Sequence, residues 1–448
     1  MALAALTTGL LAQETNADPL LVAQWQQVLE RGLEDGRAHD TLARLVAAAP
    51  HRLSGSDGAA AAVEWARAEM TRLQLTNVRL EKVMVPRWVR GTATATVVGT
   101  DEPLGVLALG GSIATPAKGL EGDLVMVRSF EELRALGDAA KGKIAFLNRP
   151  MPRTLMDTFR AYGQAVPQRS NGAIEAGRVG ALAVLVRSMS TRISETAHTG
   201  AMAYDPTVER VPAAALATAH ADRLGKRIAA GETVRIRLTM TCETHPDVES
   251  ANVVGEIRGT THPDEIVLIG AHLDAWDVGH GAHDDGAGCA HVLEAMRLIR
   301  ALDWKPARTI RAVLFMNEEN GLRGGTTYAA DHLAELPRHF AAIETDRGGF
   351  VPIGFDTTAT GAKRDLIARL AAPLRANGMG AVIPGGGGAD ISPMGPHGVT
   401  LIGLLVQSHR YFDHHHSDRD TIDAVNDREL QLGACALAYL ATALADAR

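Results

Sequence analysis

The chain has only three cysteines in 448 residues, Cys242, Cys289 and Cys435, and no two of them stand at C-x-x-C spacing. That excludes a thiolate zinc site and a disulfide framework, and leaves three structural thiols as the expectation. Long apolar runs are also missing. The longest small-residue apolar stretch, residues 2–12, is too short to span a bilayer. It resembles the hydrophobic region of an export signal processed after Ala12, although no basic residues precede it; an ordinary N-terminal helix is the alternative reading. Export to the periplasm or exterior is the expectation, with a cytoplasmic protein as the alternative, and no membrane partner is expected. No basic run with interleaved aromatics occurs, and the net charge is -7, so nucleic acid is excluded as a partner. There is no internal repeat.

What is present is a globular composition, 46% hydrophobic and 22% charged, in a chain too long for one ordinary core. Residues 20–33 and 40–49 read as amphipathic helices, and Ser56 or Asp57 caps a further helix that runs to about Leu73. Val78 to Val85 alternates as a half-buried strand does. From about Thr100 to Thr244 the texture changes to short strand-like runs (105–109, 124–127, 144–147, 181–186) separated by glycine turns. This block reads as an inserted β-rich domain. The expected organisation is therefore 1–19 as a truncated signal or helix, 20–100 and 246–448 as one α/β domain, and 101–245 as the insert.

Four apolar runs in the second half each end in residues able to hold a metal ion. The run from Glu265 leads into His272 and Asp274, with Asp284 and Asp285 following. The run from Thr309 leads into Glu318 and Glu319, the run from Phe340 into Asp346, and the run from Val399 towards His414, His415 and His416. Ligands of parallel α/β sheets bind outside the carboxyl ends of the strands. If these runs are strands of one sheet, the clusters converge on one rim, where bare carboxylates would resist ionisation. Imidazoles and carboxylates suit zinc, and a carboxylate on a tight turn, such as Asp284, can bridge two ions. Asp274 is spaced to orient an imidazole from behind. Glu318 and Glu319 point to opposite sides in extended backbone, so one can bind metal while the other serves as general base. Taken singly, each residue is more simply a solvated acid or an exposed histidine; their joint placement at four strand ends carries the reading. His280, His283, His291 and His409 have no paired second group and are left out. Asp390 is either a pocket residue or a loop acid. The glycine run at 385–388 is a loop.

The stretches GAHLDAWDVGHGAHDDGAG, LFMNEENGLRGG, ETDRGG and HHSDRDT resemble the motifs of the co-catalytic di-zinc aminopeptidases, and within that family the plasma glutamate carboxypeptidase (carboxypeptidase Q) branch. The resemblance implies an α/β fold with a mixed, mostly parallel sheet flanked by helices, and an inserted protease-associated domain. It implies two Zn2+ per chain: His272 and Asp346 on one, Glu319 and His416 on the other, Asp284 bridging. Glu318 would be the base and Asp274 the carboxylate behind His272. The spacing His-Ser-x-x-Asp-Thr selects His416, and His415 stands where some relatives place a carbonyl-polarising tyrosine. The implied activity is hydrolysis of dipeptides or short peptides with a free amino end by a homodimer whose insert covers the cleft. A single-zinc glutaminyl cyclase-like acyl transferase and a catalytically silent receptor-like relative are the alternatives; metal stoichiometry separates the first.

Overall fold

The computed structural model describes residues 18–447. The apolar segment 2–12, and with it the signal reading, lies outside the described residues. Among the described residues no helix is long and apolar enough to cross a membrane.

The main sheet has eight strands: β1 (Thr76–Val89), β2 (Glu243–Ile257), β3 (His262–His272), β4 (Arg308–Phe315), β5 (His339–Glu344), β6 (Pro352–Thr357), β7 (Ala381–Pro384) and β8 (Leu401–Val406), in the order β1-β2-β4-β3-β5-β8-β6-β7. The central strands β4, β3, β5 and β8 are mutually parallel, while β1, β2 and β6 run antiparallel to their inner neighbours. The four apolar runs of the sequence are these four parallel strands. Both faces of a central parallel sheet are covered, so its strands read as continuous apolar runs. Side chains nevertheless alternate between two cores. Val267, Ile269 and Ala271 face one apolar cluster, Ile266 and Leu268 another.

The larger cluster is covered by α1 (Pro19–Glu34), α2 (Ala38–Ala48), α3 (Asp57–Arg72), α4 (Ala287–Ala301) and α5 (Asp427–Asp446). Their starts follow the local chemistry. Asp18 Oδ1 accepts the Leu20 N–H (2.9 Å), Ser56 Oγ that of Ala59 (3.1 Å) and Asn426 Oδ1 that of Glu429 (3.0 Å). Cys242, Cys289 and Cys435 are buried and unpaired.

β1 and β2 form a long antiparallel ribbon, Thr76 opposite Glu256 and Val89 opposite Glu243, and the chain between their far ends builds a second sheet with its own helices and loops. That sheet also has eight strands, in the order Glu102–Leu104, Ala93–Val97, Arg235–Met240, Leu120–Val127, Ile144–Leu147, Ala183–Arg187, Ala213–Leu216 and Val106–Ala108. The sequence texture placed the change near Thr100, whereas Ala93–Val97 is already in the second sheet. Helices Thr158–Ala165, Gly172–Arg178 and Thr218–Ala229 accompany the sheet. An apolar cluster joins the block to the main domain: Leu147, Ala161 and Val186 share it with Phe350, Val406, Tyr411 and Phe412.

Candidate active site

The register of the parallel strands sets the site. Gly270 of β3 pairs with Glu344 of β5, so His272 and Asp346, each two residues further on, emerge level and on the same side. His272 itself pairs with Phe315 of β4, after which the chain turns through Asn317 in a left-handed conformation (φ 76°), one that asparagine tolerates. Glu318 and Glu319 follow. β8 leads through the turn Ser408–Asp413 to His414, His415 and His416. Asp284 arrives from the loop that precedes α4.

These side chains meet. His272 Nε2 lies 3.3 Å from Asp284 Oδ1 and 3.5 Å from Asp346 Oδ1. His416 Nε2 lies 3.2 Å from Asp284 Oδ2 and 3.0 Å from Glu319 Oε2. Asp284 therefore faces one cluster with each oxygen, which is the disposition a bridging carboxylate needs. His415 Nε2 is 3.7 Å from Asp284 Oδ2, and its ring is stacked on that of His416 at 3.5 Å. Two groups have ligand atoms close enough to share an ion: His272, Asp284 and Asp346; and Asp284, His415 and His416.

The proton positions show what the clusters fit. His272 Nδ1 is 3.0 Å from the Asp274 carbonyl, and His416 Nδ1 is 3.3 Å from the Thr199 carbonyl. A carbonyl only accepts, so each Nδ1 carries the proton. In a neutral ring the Nε2 lone pair then faces carboxylates, an arrangement that a cation reconciles. His272 Nε2 and Asp284 Oδ2 are buried in no hydrogen bond at all. In the protein alone, burial opposes protonation of His416, but Glu319 and Asp284 raise it to about 9. Burial alone would raise the Asp284 carboxyl, yet contacts from His272 and His416 hold it well below the usual range. Burial, together with the carboxylates of Asp346, Glu319 and Asp284 and against the charge of His272, pushes Glu318 well up. The donor set of imidazole and carboxylate is that of zinc rather than of calcium or magnesium.

Asp274 differs from its expected place. Its backbone carbonyl, not its carboxylate, meets the His272 ring, because the chain curls back immediately after β3; the carboxylate stands 3.8 Å from Nδ1. Instead Oδ1 accepts the N–H groups of Asn317 (2.8 Å) and Glu318 (3.1 Å), which fixes the turn that presents Glu318. Asp390 is fully buried with neither carboxylate oxygen partnered, so it is not a surface loop acid. The glycine run beside it packs closely: a Cβ on Gly388 would sit 2.2 Å from the Glu344 carboxylate carbon.

Several supporting residues were not assigned from the sequence. Asp420 accepts the N–H groups of His283 (2.6 Å) and Asp284 (3.1 Å). It is the second acid of the HHSDRDT motif, so the signal for it was already on view. Asp285 accepts from the His272 N–H (3.2 Å) and the Gly288 N–H (2.9 Å). Arg52, fully buried, donates to the carbonyls of Leu273, His280 and Gly281, each at 2.7 Å. The inserted block reaches the centre too. His198 Nδ1 donates to the His415 carbonyl (2.7 Å), and the Thr199 N–H to that of His416 (2.9 Å). These contacts hold His416 in a left-handed conformation (φ 59°), which costs about 1–3 kcal/mol and needs such support. Nothing in the sequence of the block marks them.

The profile of peptidase family M28 matches residues 252–441. Carboxypeptidase Q of Bos taurus is 34% identical over 419 residues, which cover 93% of this chain and 86% of that protein; the Homo sapiens protein has the same identity and coverage. The chain belongs to peptidase family M28. The crystal structure of a peptidase M28 precursor from Shewanella amazonensis superposes with a TM-score of 0.93 at 36% identity, covering 96% of this chain and 97% of that one. A zinc aminopeptidase from Bacillus subtilis, 20% identical with a TM-score of 0.65, shares the fold over 90% of this chain and 93% of that one. The M28 chain is accordingly a metallo-exopeptidase with the mixed α/β architecture of that family, as its motifs imply.

Proposed function

We propose that the protein is a di-zinc exopeptidase that hydrolyses dipeptides or short peptides with a free amino end. His272, Asp284 and Asp346 would hold one zinc, and Asp284, Glu319 and His416 the other. The observation that carries this is the division of Asp284, one oxygen towards His272 and the other towards His416. Bound, the two ions would supply the charge that acidifies a water and polarises a carbonyl.

The remaining steps belong to the chain. Glu318 is half-buried, its backbone is anchored on Asp274, and its carboxylate makes no hydrogen bond among the described residues. It is free to take the proton of the attacking water and to return it to the leaving amine. Burial among carboxylates favours the protonated form once the proton is taken. His415, within reach of Asp284 and with Nδ1 unpartnered, is placed to donate towards the developing oxyanion when protonated there. The acidic rim would receive the substrate's ammonium group. We read the inserted block as a protease-associated domain that covers this centre, through Tyr162, His198 and Thr199.

The test is Glu318→Gln. The variant should keep two zinc ions per chain by metal analysis while kcat on a dipeptide falls by about 10²–10⁴-fold. Near wild-type turnover would remove Glu318 from its role; one tightly bound zinc in the wild type would favour the cyclase-like reading.

A further inference from the structure

A cavity of 420 Å³ opens at the rim of the main sheet opposite the metal-ligand cluster. Sites for small ligands run to about 300–1,000 Å³. It lies where β5 begins and where the chain enters β8, so roughly 20 Å of strand, at about 3.3 Å per residue, separates it from Asp346. Phe340, Ala341, Leu366, Ile367 and Leu444 give it apolar walls. Arg308 ties two of these walls together. Its guanidinium stacks over the Phe340 ring (4.2 Å) and donates to the carbonyls of Ala445 (3.2 Å) and Ala447 (2.6 Å), beside Leu444. The space is therefore formed before any ligand arrives, and little ordering is needed to fill it.

The polar groups of the lining suit an anion. The helix Gly361–Leu370 starts on the cavity through Ala362 and Lys363, and Thr360 at its N-cap makes no side-chain capping bond, so the N–H groups of the first turn are left for another acceptor. Thr400 also lines the cavity, is 8% exposed, and its hydroxyl has no hydrogen-bond partner among the described residues. The pairing of Ala342 with Leu401 sets Thr400 level with Ala341, and strand alternation puts both side chains on the face of Ile402, the one that packs with Ile367 and Leu444. That hydroxyl is aimed into the cavity. Lys363, and Arg338 between the lining residues Pro337 and His339, form no ion pair among the described residues, and no carboxylate lines the space. His339 adds no charge at neutral pH, since burial lowers it to about 4.

We infer that this cavity binds an amphipathic monocarboxylate of the class of a medium-chain fatty acid, its carboxylate at the start of the helix Gly361–Leu370 near Thr400 and Lys363, its alkyl chain along Phe340, Leu366, Ile367 and Leu444. Burial of the chain drives binding, and the uncapped N–H groups with the Thr400 hydroxyl favour the acid over the matching alcohol. A free amino acid or peptide fits less well, because its ammonium would meet Lys363 and Arg338 with no acid to receive it. The site stands apart from the metal-ligand cluster, and its occupancy does not depend on what that cluster hydrolyses.

The test is calorimetric titration of the full chain with sodium octanoate, with octanol and octyltrimethylammonium titrated alongside. One octanoate should bind per chain, about ten-fold tighter than octanol, as hydrogen bonds to a charged group imply, and octyltrimethylammonium should not bind. Ala362→Trp, at an exposed residue of the lining, should fill the space and abolish binding of both octanoate and octanol. Lys363→Met should weaken octanoate by about two- to five-fold and leave octanol unchanged. Thr400→Val, which removes the hydroxyl and nearly keeps the shape, should act in the same direction. Urea midpoints show that each variant is folded, and Lys363→Met, at an exposed position, decides the matter if the other two fold poorly. A wild type that takes no octanoate overturns the proposal, as does equal binding of acid, alcohol and ammonium compound, or octanoate binding that survives folded Ala362→Trp unchanged. If sedimentation shows the wild type as a dimer that Ala362→Trp dissociates, a second copy covers the cavity and the proposal falls.

Discussion

Asp420→Asn tests whether the metal centre depends on how the Asp284 loop is held. Asp420 is 3% exposed, and its two oxygens take the N–H groups of His283 and Asp284. Asparagine preserves the shape but offers one acceptor; its NH₂ would face the other backbone N–H, donor against donor. One hydrogen bond to a charged group is lost, worth about 1.5–3 kcal/mol, and the loop relaxes to relieve the clash. Asp284 faces both clusters, so displacement of that loop would weaken both ions of the proposed pair together. With 1.4 kcal/mol per factor of ten, the expected loss is about ten- to a hundred-fold in zinc affinity. Competition against a chromophoric chelator measures it, and urea unfolding of the metal-free protein gives the part that is plain destabilisation. If Asp420→Asn binds zinc as the wild type does, with unaltered metal-free stability, then the loop is positioned by something other than this carboxylate. If only the stability falls, Asp420 is a folding residue without a special connection to the metals.

Stability should also fall with rising pH through a buried histidine that is no part of the metal-ligand set. His332 is raised to about 9: burial opposes this, but contacts with Glu335 and Glu81 prevail. A histidine raised on folding contributes stability that is full below its unfolded pKa of about 6.5 and is lost as pH rises through about 9. Urea midpoints between pH 6.5 and 9 should therefore slope downward, and His332→Gln should flatten that slope while lowering stability at pH 6.5; an unchanged slope removes His332 as the source. Gly110→Ala should cost about 1–3 kcal/mol by overpacking, because a Cβ there would lie 2.0 Å from the Trp276 ring. The Trp276 backbone N–H donates to Glu319 (3.2 Å), so a shift of this residue should also lower kcat/KM, and wild-type stability and activity together would show that the ring moves without disturbing the backbone.

What the sequence displayed about this protein follows from how each feature is encoded. Strands β3, β4, β5 and β8 are buried on both faces, so each is a contiguous apolar run that names itself, and the acids and histidines just past its end are placed by the chain rather than by packing. That is why His272, Glu318, Glu319, Asp346 and His416 could be picked out by number, and why the fold was legible. Ala93–Val97 and Arg235–Met240 also carry an alternating pattern, but they lie at the edges of a block whose boundary was drawn by texture, which registers glycine turns and not pairing. The helix Thr218–Ala229 follows directly on a strand of small residues, Ala213–Leu216, where no turn residue separates the two.

The second kind of loss is deeper. Whether Asp274 meets His272 by its carboxylate or its carbonyl depends on how sharply the backbone turns after a strand, and spacing alone carries both outcomes. Tyr162, His198 and Thr199 reach the centre only because β1 and β2 carry the inserted sheet back over the rim, more than two hundred residues from His415 and His416 in some pairs. Such a contact leaves no local periodicity, cap or motif.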